Sequence, residues 1–335
     1  MQREREPVAQ PRPPRTRSVA LIGVRGYAGG ELVRLIEQHP QLSLTAAASR
    51  AHAGQPLTTV QPGSASHIVV SDASPELMHE MEADIYVLAM PNGVAGEYVN
   101  AINQSAGSDT RIIVDLSADF RFDDAWTYGL PQMNAAALVH ATHIANPGCY
   151  ATAMMLALFP IRALLDGAPC CFGISGYSGA GTSPSKRNDP EQLRDTIVPY
   201  ALVDHVHGSE VARHLDHPVR FTPHVAPFFR GLSVTVHARL KQLLSVHDLR
   251  ERFASTYGDD ACVKVYDASA DAPSARDAAD SVHVHIGGFA VSADDPHNIV
   301  IVSALDNLLK GAASQAIENI NLACGFPHLE GLVRG

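Results

Sequence analysis

The sequence has few of the features that would assign it to a specialised class of protein. Basic residues are outnumbered, because 25 Lys and Arg stand against 35 Asp and Glu, and the formal net charge is −10. Nucleic acids and anionic membranes bind basic surfaces, so we expect neither to be a partner. No apolar run approaches the roughly 20 residues that a membrane-spanning helix needs. A small molecule is therefore the expected binding partner.

Cysteine is scarce and follows no pairing pattern. The five cysteines are odd in number, scattered and never spaced as C-x-x-C: Cys149, Cys170, Cys171, Cys262 and Cys324. No signal peptide accompanies them, and this combination is typical of free thiols in a reducing compartment. We therefore predict a cytoplasmic protein without a disulfide framework, and no C-x-x-C spacing supports a zinc site.

The first 17 residues lack apolar periodicity. Residues 1–17 are rich in Arg and Pro and are predicted to form a flexible tail. Glu4, Glu6 and the prolines argue against the amphipathic helix of an organelle transit peptide. The chain of 335 residues exceeds the usual size of one hydrophobic core. Two folded domains are therefore expected after the tail.

A strand, a glycine-rich turn and a helix open the folded region. Residues 18–24 form a short apolar run, glycines recur in the spacing GxxGxxG, and residues 31–38 follow with helical periodicity. This order is the fingerprint of a dinucleotide-binding (Rossmann) domain, in which amides at a helix N-terminus approach a pyrophosphate. The residues predicted to bind the cofactor here are Gly23, Gly26, Tyr27, Ala28 and Gly29.

The end of the second predicted strand indicates which dinucleotide binds. This strand covers residues 42–48, and Ser49 and Arg50 follow it. An NAD-preferring site usually has an acidic residue here for the ribose 2′-hydroxyl, whereas a hydroxyl and a guanidinium suit a 2′-phosphate. The sequence therefore predicts NADP as the cofactor, with Ser49 and Arg50 at its 2′-phosphate.

Alternating strands and helices then continue a parallel sheet. The predicted strands cover residues 85–89, 111–115 and 143–145, with a helix over residues 93–104. Pro91 and Arg121 follow two of these strands, at the carboxyl edge where open α/β sheets bind ligands. We predict Pro91 as a cofactor contact and Arg121 as a phosphate contact of the substrate; the alternative is an ion pair of Arg121 with a neighbouring aspartate.

One cysteine lies where a Pro-Gly turn meets an apolar helix. Asn146-Pro-Gly-Cys149 precedes a helix predicted over residues 149–165. Free N–H groups and the helix dipole favour a thiolate at a helix N-terminus, and the thiolate is the nucleophile. We therefore predict that Cys149 is a nucleophile in the cofactor crevice; the alternative is an inert buried cysteine.

After Cys149 the pattern changes to longer β segments. The predicted strands cover residues 170–177, 219–226, 232–240, 261–266, 281–291 and 298–304, with a helix near residues 246–256. This pattern predicts an α+β domain with a mostly antiparallel sheet for substrate binding and dimerisation. A last helix, over residues 306–321, is expected to return to the first domain. The predicted domains are residues 18–149 with 305–335, and residues 150–304.

Two polar segments of the second half are candidate parts of a site. Ser178 and Gly179 lie in the glycine-rich loop, residues 176–185, whose amides suit a phosphate or a nicotinamide amide; the alternative is a plain connection. His205, His207 and Glu210 suit either a metal site or an acid/base pair with an orienting carboxylate. We favour the acid/base pair and predict no metal. On an extended segment both histidines would face Cys149, with Glu210 fixing a tautomer.

Arg230 ends a proline-containing segment, residues 221–231. Its cationic side chain is predicted to bind substrate, and the alternative is a rigid turn at the margin of the sheet.

Taken together, these motifs resemble the N-acetyl-gamma-glutamyl-phosphate reductase family of arginine biosynthesis, from about residue 18 to residue 327. The matching segments are residues 23–32, 115–121, 146–150, 176–182, 205–210 and 307–313. Gly208 departs from the pattern, because similar sequences often carry an acidic residue there.

The resemblance implies an oxidoreductase with a Rossmann domain for NADP. It implies that Cys149 attacks an acyl phosphate, that the thioester is reduced to an aldehyde, and that His205 or His207 moves the proton. It adds Asn146 as a substrate residue and Asn307 as a cofactor residue. A homo-oligomer, dimer or tetramer, is expected.

Two other functions stay open. One is the same chemistry on N-acetyl-aminoadipyl phosphate of lysine biosynthesis, which differs by one methylene. The other is a non-enzymatic NADP-sensing regulator. Aspartate-semialdehyde dehydrogenase shares the chemistry but not this set of motifs.

Overall fold

The computed structural model describes residues 16–105 and 110–332. Most of the predicted tail, residues 1–15, lies outside the described residues, as do residues 333–335 of the predicted first domain.

The first half of the chain alternates strands and helices. In chain order the elements are β1 (Arg17–Ile22), α1 (Tyr27–Gln38), β2 (Leu42–Ala48), α2 (Leu57–Val60), β3 (Ile85–Leu88), α3 (Ala95–Gln104), β4 (Ile112–Asp115), β5 (Thr127–Tyr128), α4 (Pro131–Leu138) and β6 (His143–Ala145). The six strands form one parallel sheet in the order β2-β1-β3-β4-β6-β5. Strands β3 and β4 are wholly buried, because apolar layers cover the sheet on both faces.

The second half adds a larger sheet and the remaining helices. Its elements are α5 (Cys149–Leu158), β7 (Cys170–Gly176), β8 (Val198–Pro199), α6 (Val206–Leu215), β9 (Arg220–Ala226), β10 (Leu232–Arg239), α7 (Val246–Tyr257), β11 (Val263–Val265), α8 (Ala275–Ala278), β12 (Val284–Val291), β13 (Asn298–Leu305) and α9 (Ser314–Cys324). The sheet order is β11-β12-β13-β10-β7-β9-β8. Only the β11–β12 and β7–β9 pairs are parallel. The predicted fold class, a Rossmann domain followed by a mostly antiparallel α+β domain, is confirmed.

Helix α5 joins the two halves of the molecule. Its residues 150–158 are all buried, and the helix packs against β10, β13 and α6. Its first residue, Cys149, follows directly on the turn that leaves β6 at the carboxyl edge of the first sheet. The cysteine is therefore held at the junction of the two sheets.

Three helices have boundaries that differ from the prediction. The last helix, predicted over residues 306–321, is a π-helical turn at Leu309–Ala313 followed by α9, which ends at Cys324. Helix α1 begins at Tyr27 instead of residue 31, because Gly29 and Gly30 lie inside the helix despite their low helix propensity. Helix α5 ends at Leu158 instead of residue 165, and a 3₁₀ turn follows at Phe159–Leu164. Pro160 causes this change, since proline cannot donate the backbone hydrogen bond that an α-helix needs.

The C-terminal helix packs against the first sheet. A π-helical turn, Leu309–Ala313, leads into α9, which contacts α1, α4 and β4. Ile317 and Ile320 enter the same apolar layer as Leu32 and Ile36 of α1. This packing supports the proposed assignment of the last segment to the first domain.

Candidate active site

A cleft of about 840 Å³ lies at the carboxyl edge of the first sheet, facing the second domain. This volume falls in the range of cofactor and substrate sites. The cleft brings together most of the predicted site residues: Gly23, Gly26, Tyr27, Ala28, Gly29, Ser49, Arg50, Pro91, Arg121, Asn146, Cys149, Ser178, Gly179, His207 and Asn307. His205, Glu210 and Arg230 do not line it.

The turn before α1 fits a pyrophosphate. Gly23 has a φ of +98°, and a Cβ there would collide with the carbonyl oxygen of Ala89. Gly26 is the N-cap of α1 and has no side chain that could cap the helix. The Gly30 amide donates to the Gly26 carbonyl oxygen at 2.9 Å. The preceding amides of the first turn are therefore available to an anion, and the helix dipole favours its charge.

The end of β2 fits a phosphorylated ribose. Ser49 is buried, Arg50 is exposed, and both line the cleft. Glu97 and Tyr98 of α3 line the same cleft; burial raises the pKa of the Tyr98 phenol, and the charge of nearby Arg50 lowers it. Sequence reasoning missed these two α3 residues, because nothing in a helix pattern tells which side chains reach the edge of the sheet.

The Cys149 thiol is more basic than its helix position predicted. The amides of Cys149 and Tyr150 lower the pKa of the sulfur, but burial outweighs them and raises the pKa to about 11. Burial therefore opposes the ionisation that the helix N-terminus was predicted to favour. At neutral pH Cys149 is a thiol, so its attack on a substrate needs a base.

His207 is the histidine that reaches the cleft. A Cβ added to Gly148, the residue before Cys149, would collide with His207 Nε2. Burial, and then the charge of Arg121, lower the pKa of His207 well below its usual value. Its imidazole is therefore neutral at physiological pH and can accept a proton. Within the described residues its buried Nδ1 has no hydrogen-bond partner.

The histidine pair was predicted to lie on an extended segment, and this prediction is wrong. Helix α6 begins at Val206, and His205 is its N-cap, with Nδ1 accepting a hydrogen bond from the His207 amide at 3.1 Å. The two rings are 4.8 Å apart between centroids, and their planes are inclined by 68°. One histidine thus caps the helix while the other faces the cleft.

Glu210 does not orient either histidine, which corrects its predicted role. Its carboxylate is fully buried and accepts hydrogen bonds from the Gly148 amide at 2.8 Å and the Tyr128 hydroxyl at 2.7 Å. The Arg121 guanidinium pairs with its second oxygen at 3.0 Å. Glu210 therefore fastens α6 to the turn that presents Cys149. Tyr128, which was missed, belongs to this network, and no local pattern identifies it.

Arg121 and Asn146 are largely engaged with the protein. Arg121 donates to the carbonyl oxygens of Asn146 at 2.9 Å and Leu116 at 2.8 Å in addition to Glu210. Its ion-pair partner is thus a residue of α6 and not a neighbouring aspartate. Asn146 is buried, donates to the Ala312 carbonyl and accepts from Asn319, so its side chain supports the turn.

Ser178 and Asn307 support each other beside the cofactor cleft. Asn307 Nδ2 donates to Ser178 Oγ at 2.9 Å, and its Oδ1 accepts from the Gly231 amide at 2.7 Å. These bonds fix the glycine-rich loop against the end of β13.

Arg230 is outside the cleft, which corrects its predicted role in substrate binding. Its guanidinium pairs with Glu31 of α1 at 2.9 Å, with Asp280 at 2.6 Å and with buried Asp306 at 2.6 Å. All three carboxylates form ion pairs with the Arg230 guanidinium, which therefore links α1 to the segments that carry Asp280 and Asp306.

Within residues 16–105 and 110–332, no group of three or more His, Cys, Asp or Glu side chains is placed to hold a metal ion. No helix of the same ranges is long and apolar enough to cross a membrane.

Comparison with known proteins assigns the family. A family model described as the NAD binding domain of semialdehyde dehydrogenase matches residues 18–141, and one described as its dimerisation domain matches residues 149–307. The chain is 43% identical over 312 residues to the N-acetyl-gamma-glutamyl-phosphate reductase of Xanthomonas campestris pv. campestris, covering 93% of this chain and 97% of that protein. The chain belongs to the N-acetyl-gamma-glutamyl-phosphate reductase family. It is therefore an oxidoreductase that uses a nicotinamide dinucleotide.

Other relatives place this family in a wider context. A mitochondrial protein of Schizosaccharomyces pombe, named Protein arg11, is 42% identical over 316 residues, which are 94% of this chain and 35% of that protein. Aspartate semialdehyde dehydrogenase II of Vibrio cholerae has the same fold, with a TM-score of 0.74 at 18% identity over 92% of this chain and 98% of that one. The Candida albicans enzyme, solved with NADP, gives 0.71 at 17% over 92% and 99%. The names of these relatives favour neither of the two other functions, the reduction of N-acetyl-aminoadipyl phosphate and the non-enzymatic NADP-sensing regulator.

Proposed function

We propose that this chain reduces N-acetyl-gamma-glutamyl phosphate to N-acetylglutamate semialdehyde and phosphate with NADPH, in arginine biosynthesis and in the cytoplasm. The observation that carries the proposal is that one cleft contains both the α1 N-terminus, which fits a dinucleotide, and Cys149 beside neutral His207. An acyl-phosphate reductase needs these two parts next to each other.

His207 supplies the base that the thiol requires. As Cys149 Sγ attacks the acyl carbon, the neutral imidazole accepts the thiol proton, the carbon–oxygen bond to phosphate breaks, and the leaving phosphate takes that proton. When bound, the nicotinamide cofactor supplies the hydride that reduces the thioester. As the resulting alkoxide collapses to the aldehyde and the carbon–sulfur bond breaks, His207, protonated again from solvent, donates its proton to the departing sulfur and restores the Cys149 thiol. The amides of Cys149 and Tyr150 favour the developing oxyanion.

Arg121 and Glu210 hold this arrangement in place. Because Glu210 binds the Gly148 amide and Arg121 together, it fixes the turn before Cys149 relative to the first turn of α6. Arg121 also keeps His207 in its neutral, basic form through charge repulsion. We therefore propose that both are positioning residues, and that His205 acts through the helix cap.

The specificity for NADP is proposed to reside in Ser49 and Arg50. Arg50→Ala should raise the KM for NADPH by about tenfold or more, because a charge-assisted hydrogen bond to the 2′-phosphate is lost, and should leave the KM for NADH nearly unchanged. Steady-state kinetics with both cofactors measures this. Equal use of NADH and NADPH by the unmodified protein would contradict the proposal.

We propose a homo-oligomer that forms through the open face of the second sheet. Helices α5, α6 and α7 pack on one side of this sheet, and side chains of the other side stay exposed, among them Phe172 at 43%. A matching dimerisation-domain family model supports this proposal.

The activity test is phosphate-dependent reduction of NADP by N-acetylglutamate semialdehyde. Cys149→Ser should abolish this reaction and leave cofactor affinity unchanged, because serine keeps the helix but not the thiolate chemistry. Cys324→Ser is the matched control, since burial also raises the pKa of that thiol to about 11 but it lies outside the cleft. Turnover by Cys149→Ser, or faster reaction with the aminoadipate homologue, would refute the proposal.

A further inference from the structure

The loop that continues from the glycine-rich loop presents a cation in a fixed position. Asn188 closes this loop by donating to the carbonyl oxygens of Gly181 and Ser183, both at 2.7 Å, and by accepting from the Ser185 amide at 2.8 Å. The Arg187 amide in turn donates to Ser185 Oγ at 3.3 Å. The backbone that carries Arg187 is therefore held to the segment that lines the cofactor cleft.

The Arg187 side chain lies on an aromatic ring that leads to the active site. Its guanidinium carbon is 4.8 Å from the centroid of the Tyr200 ring. Tyr200 meets His205 edge to face at 5.6 Å, and His205 lies 4.8 Å from His207, which lines the cleft. A row of rings thus connects Arg187 to the side chains beside Cys149.

Tyr200 is close to both ends of this row. Burial, and then the nearby Cys149 sulfur, raise the pKa of its phenol, while Arg187 lowers it. Tyr200 is therefore near both the nucleophile and the cation; it does not line the cleft itself but reaches it through His205 and His207.

Arg187 also lacks a protein partner for its charge. In the described ranges no carboxylate lies within ion-pair distance of it, whereas Arg194 of the same segment pairs with Glu191 at 2.5 Å. A guanidinium that stacks on a ring keeps the N–H groups of its edge for an anion, and it suits a carboxylate in particular.

We propose that Arg187, stacked on Tyr200, binds the α-carboxylate of the acyl-phosphate substrate and selects its chain length. The inference rests on the proposed function. In that substrate three carbons separate the acyl carbon from the α-carboxylate; with the acyl carbon at Cys149, the proposed pose extends the carboxylate past His207 and His205 toward Arg187. One more methylene would displace the carboxylate from Arg187, which gives a physical basis for discriminating against the aminoadipyl homologue.

A cycle of two enzymes and two substrates tests the contact. The substrates are N-acetylglutamate semialdehyde and 4-acetamidobutanal, which has hydrogen in place of the α-carboxylate. Arg187→Met should raise the KM for the first aldehyde by about tenfold or more, with kcat nearly unchanged. It should leave the kinetics of 4-acetamidobutanal unaffected. Tyr200→Phe should keep the KM, and Tyr200→Leu should raise it, because only the ring supports the guanidinium.

Lys186→Met is the matched control, since it removes an equally exposed positive charge from the adjacent residue. An equal rise in KM for Lys186→Met would show general attraction of anions and overturn the inference. An equal loss on both aldehydes with Arg187→Met would also overturn it, because the effect would not depend on the carboxylate. If the unmodified enzyme used neither aldehyde, the proposed function would fail, and this inference with it.

Discussion

At the scale of single residues, burial determines the chemistry of Cys149. The thiol sits at a helix N-terminus, where the dipole alone would favour ionisation, yet burial raises its pKa to about 11. The same burial keeps His207 neutral. The resting pair is therefore a thiol and an imidazole, and the thiolate forms only as its proton moves to His207 during attack.

His207 and His205 are expected to differ sharply when replaced. His207→Asn should lower turnover by about 10²–10⁴-fold with little change in cofactor affinity, because the base is lost. His205→Asn should cost much less, since asparagine is a favourable N-cap and preserves the first turn of α6. Turnover and cofactor titration of both variants provide the measurement. A larger loss of turnover with His205→Asn than with His207→Asn would show that His205 transfers the proton.

The pH profile tests the same assignment. The basic form of His207 is the neutral one, and its pKa is lowered, so activity is retained above that pKa and lost as pH falls through it. The acid limb of kcat/KM should therefore lie below pH 6.5. His207→Asn should remove this limb. An acid limb at or above pH 6.5 would contradict a buried neutral base.

At the scale of elements, the first turn of α1 depends on one close approach. A Cβ at Gly29 would lie 2.5 Å from the Gly23 carbonyl oxygen and 3.0 Å from Val24 Cα, and both are backbone atoms that cannot rotate away. At the neighbouring Gly30 the nearest atoms to a Cβ would be those at the end of the flexible Gln61 side chain, whose Nε2 donates to the Val24 carbonyl oxygen. The two glycines therefore have different functions, although both sit in the same helix.

Gly29→Ala and Gly30→Ala form a matched pair. Gly29→Ala should weaken cofactor binding by at least about tenfold and lower the thermal midpoint, because the turn that faces the pyrophosphate must open. Gly30→Ala should be neutral or stabilising, by up to about 1 kcal/mol, since alanine favours a helix. Calorimetry and cofactor titration measure both effects. Equal behaviour of the two variants would show that helix propensity, not the close approach, governs this turn.

Periodic elements could be predicted from the sequence, and the site network could not. The strands around the first sheet and helix α5 carry apolar patterns that specify them locally. Helix α6 was missed because a histidine caps it, outside the usual set of capping residues. The bonds of Glu210 join residues that are 62 and 89 positions apart. A single sequence holds no signal for such pairs.

At the scale of the whole molecule, the segment around Arg230 connects both walls of the cofactor cleft. The carbonyl oxygens of Phe228 and Phe229 accept from the amides of Tyr177 and Ser178 at 2.9 Å and 3.0 Å. The Phe229 ring packs edge to face on Tyr27, in the first turn of α1, at 5.1 Å. The position of α1 relative to the glycine-rich loop therefore depends on this segment.

Arg230→Met should lower both stability and cofactor affinity. It leaves the fully buried Asp306 without a cation and breaks the bridge to Glu31, for which a loss of about 3 kcal/mol or more is expected. The measurements are the thermal midpoint and the dissociation constant of NADPH. Arg34→Met is the control, because Arg34 also pairs with Glu31 at 2.8 Å but stays exposed and within α1.

A double-mutant cycle of Arg230→Met with Glu31→Gln isolates the part of this effect that passes between the two domains. If the bridge to α1 sets the width of the cleft, the two changes should weaken NADPH binding by less together than the product of their separate effects. Strictly multiplicative losses would show that the effect of Arg230 on NADPH binding does not pass through Glu31. Arg230 would then act through Asp306 and Asp280 instead of through a bridge to α1.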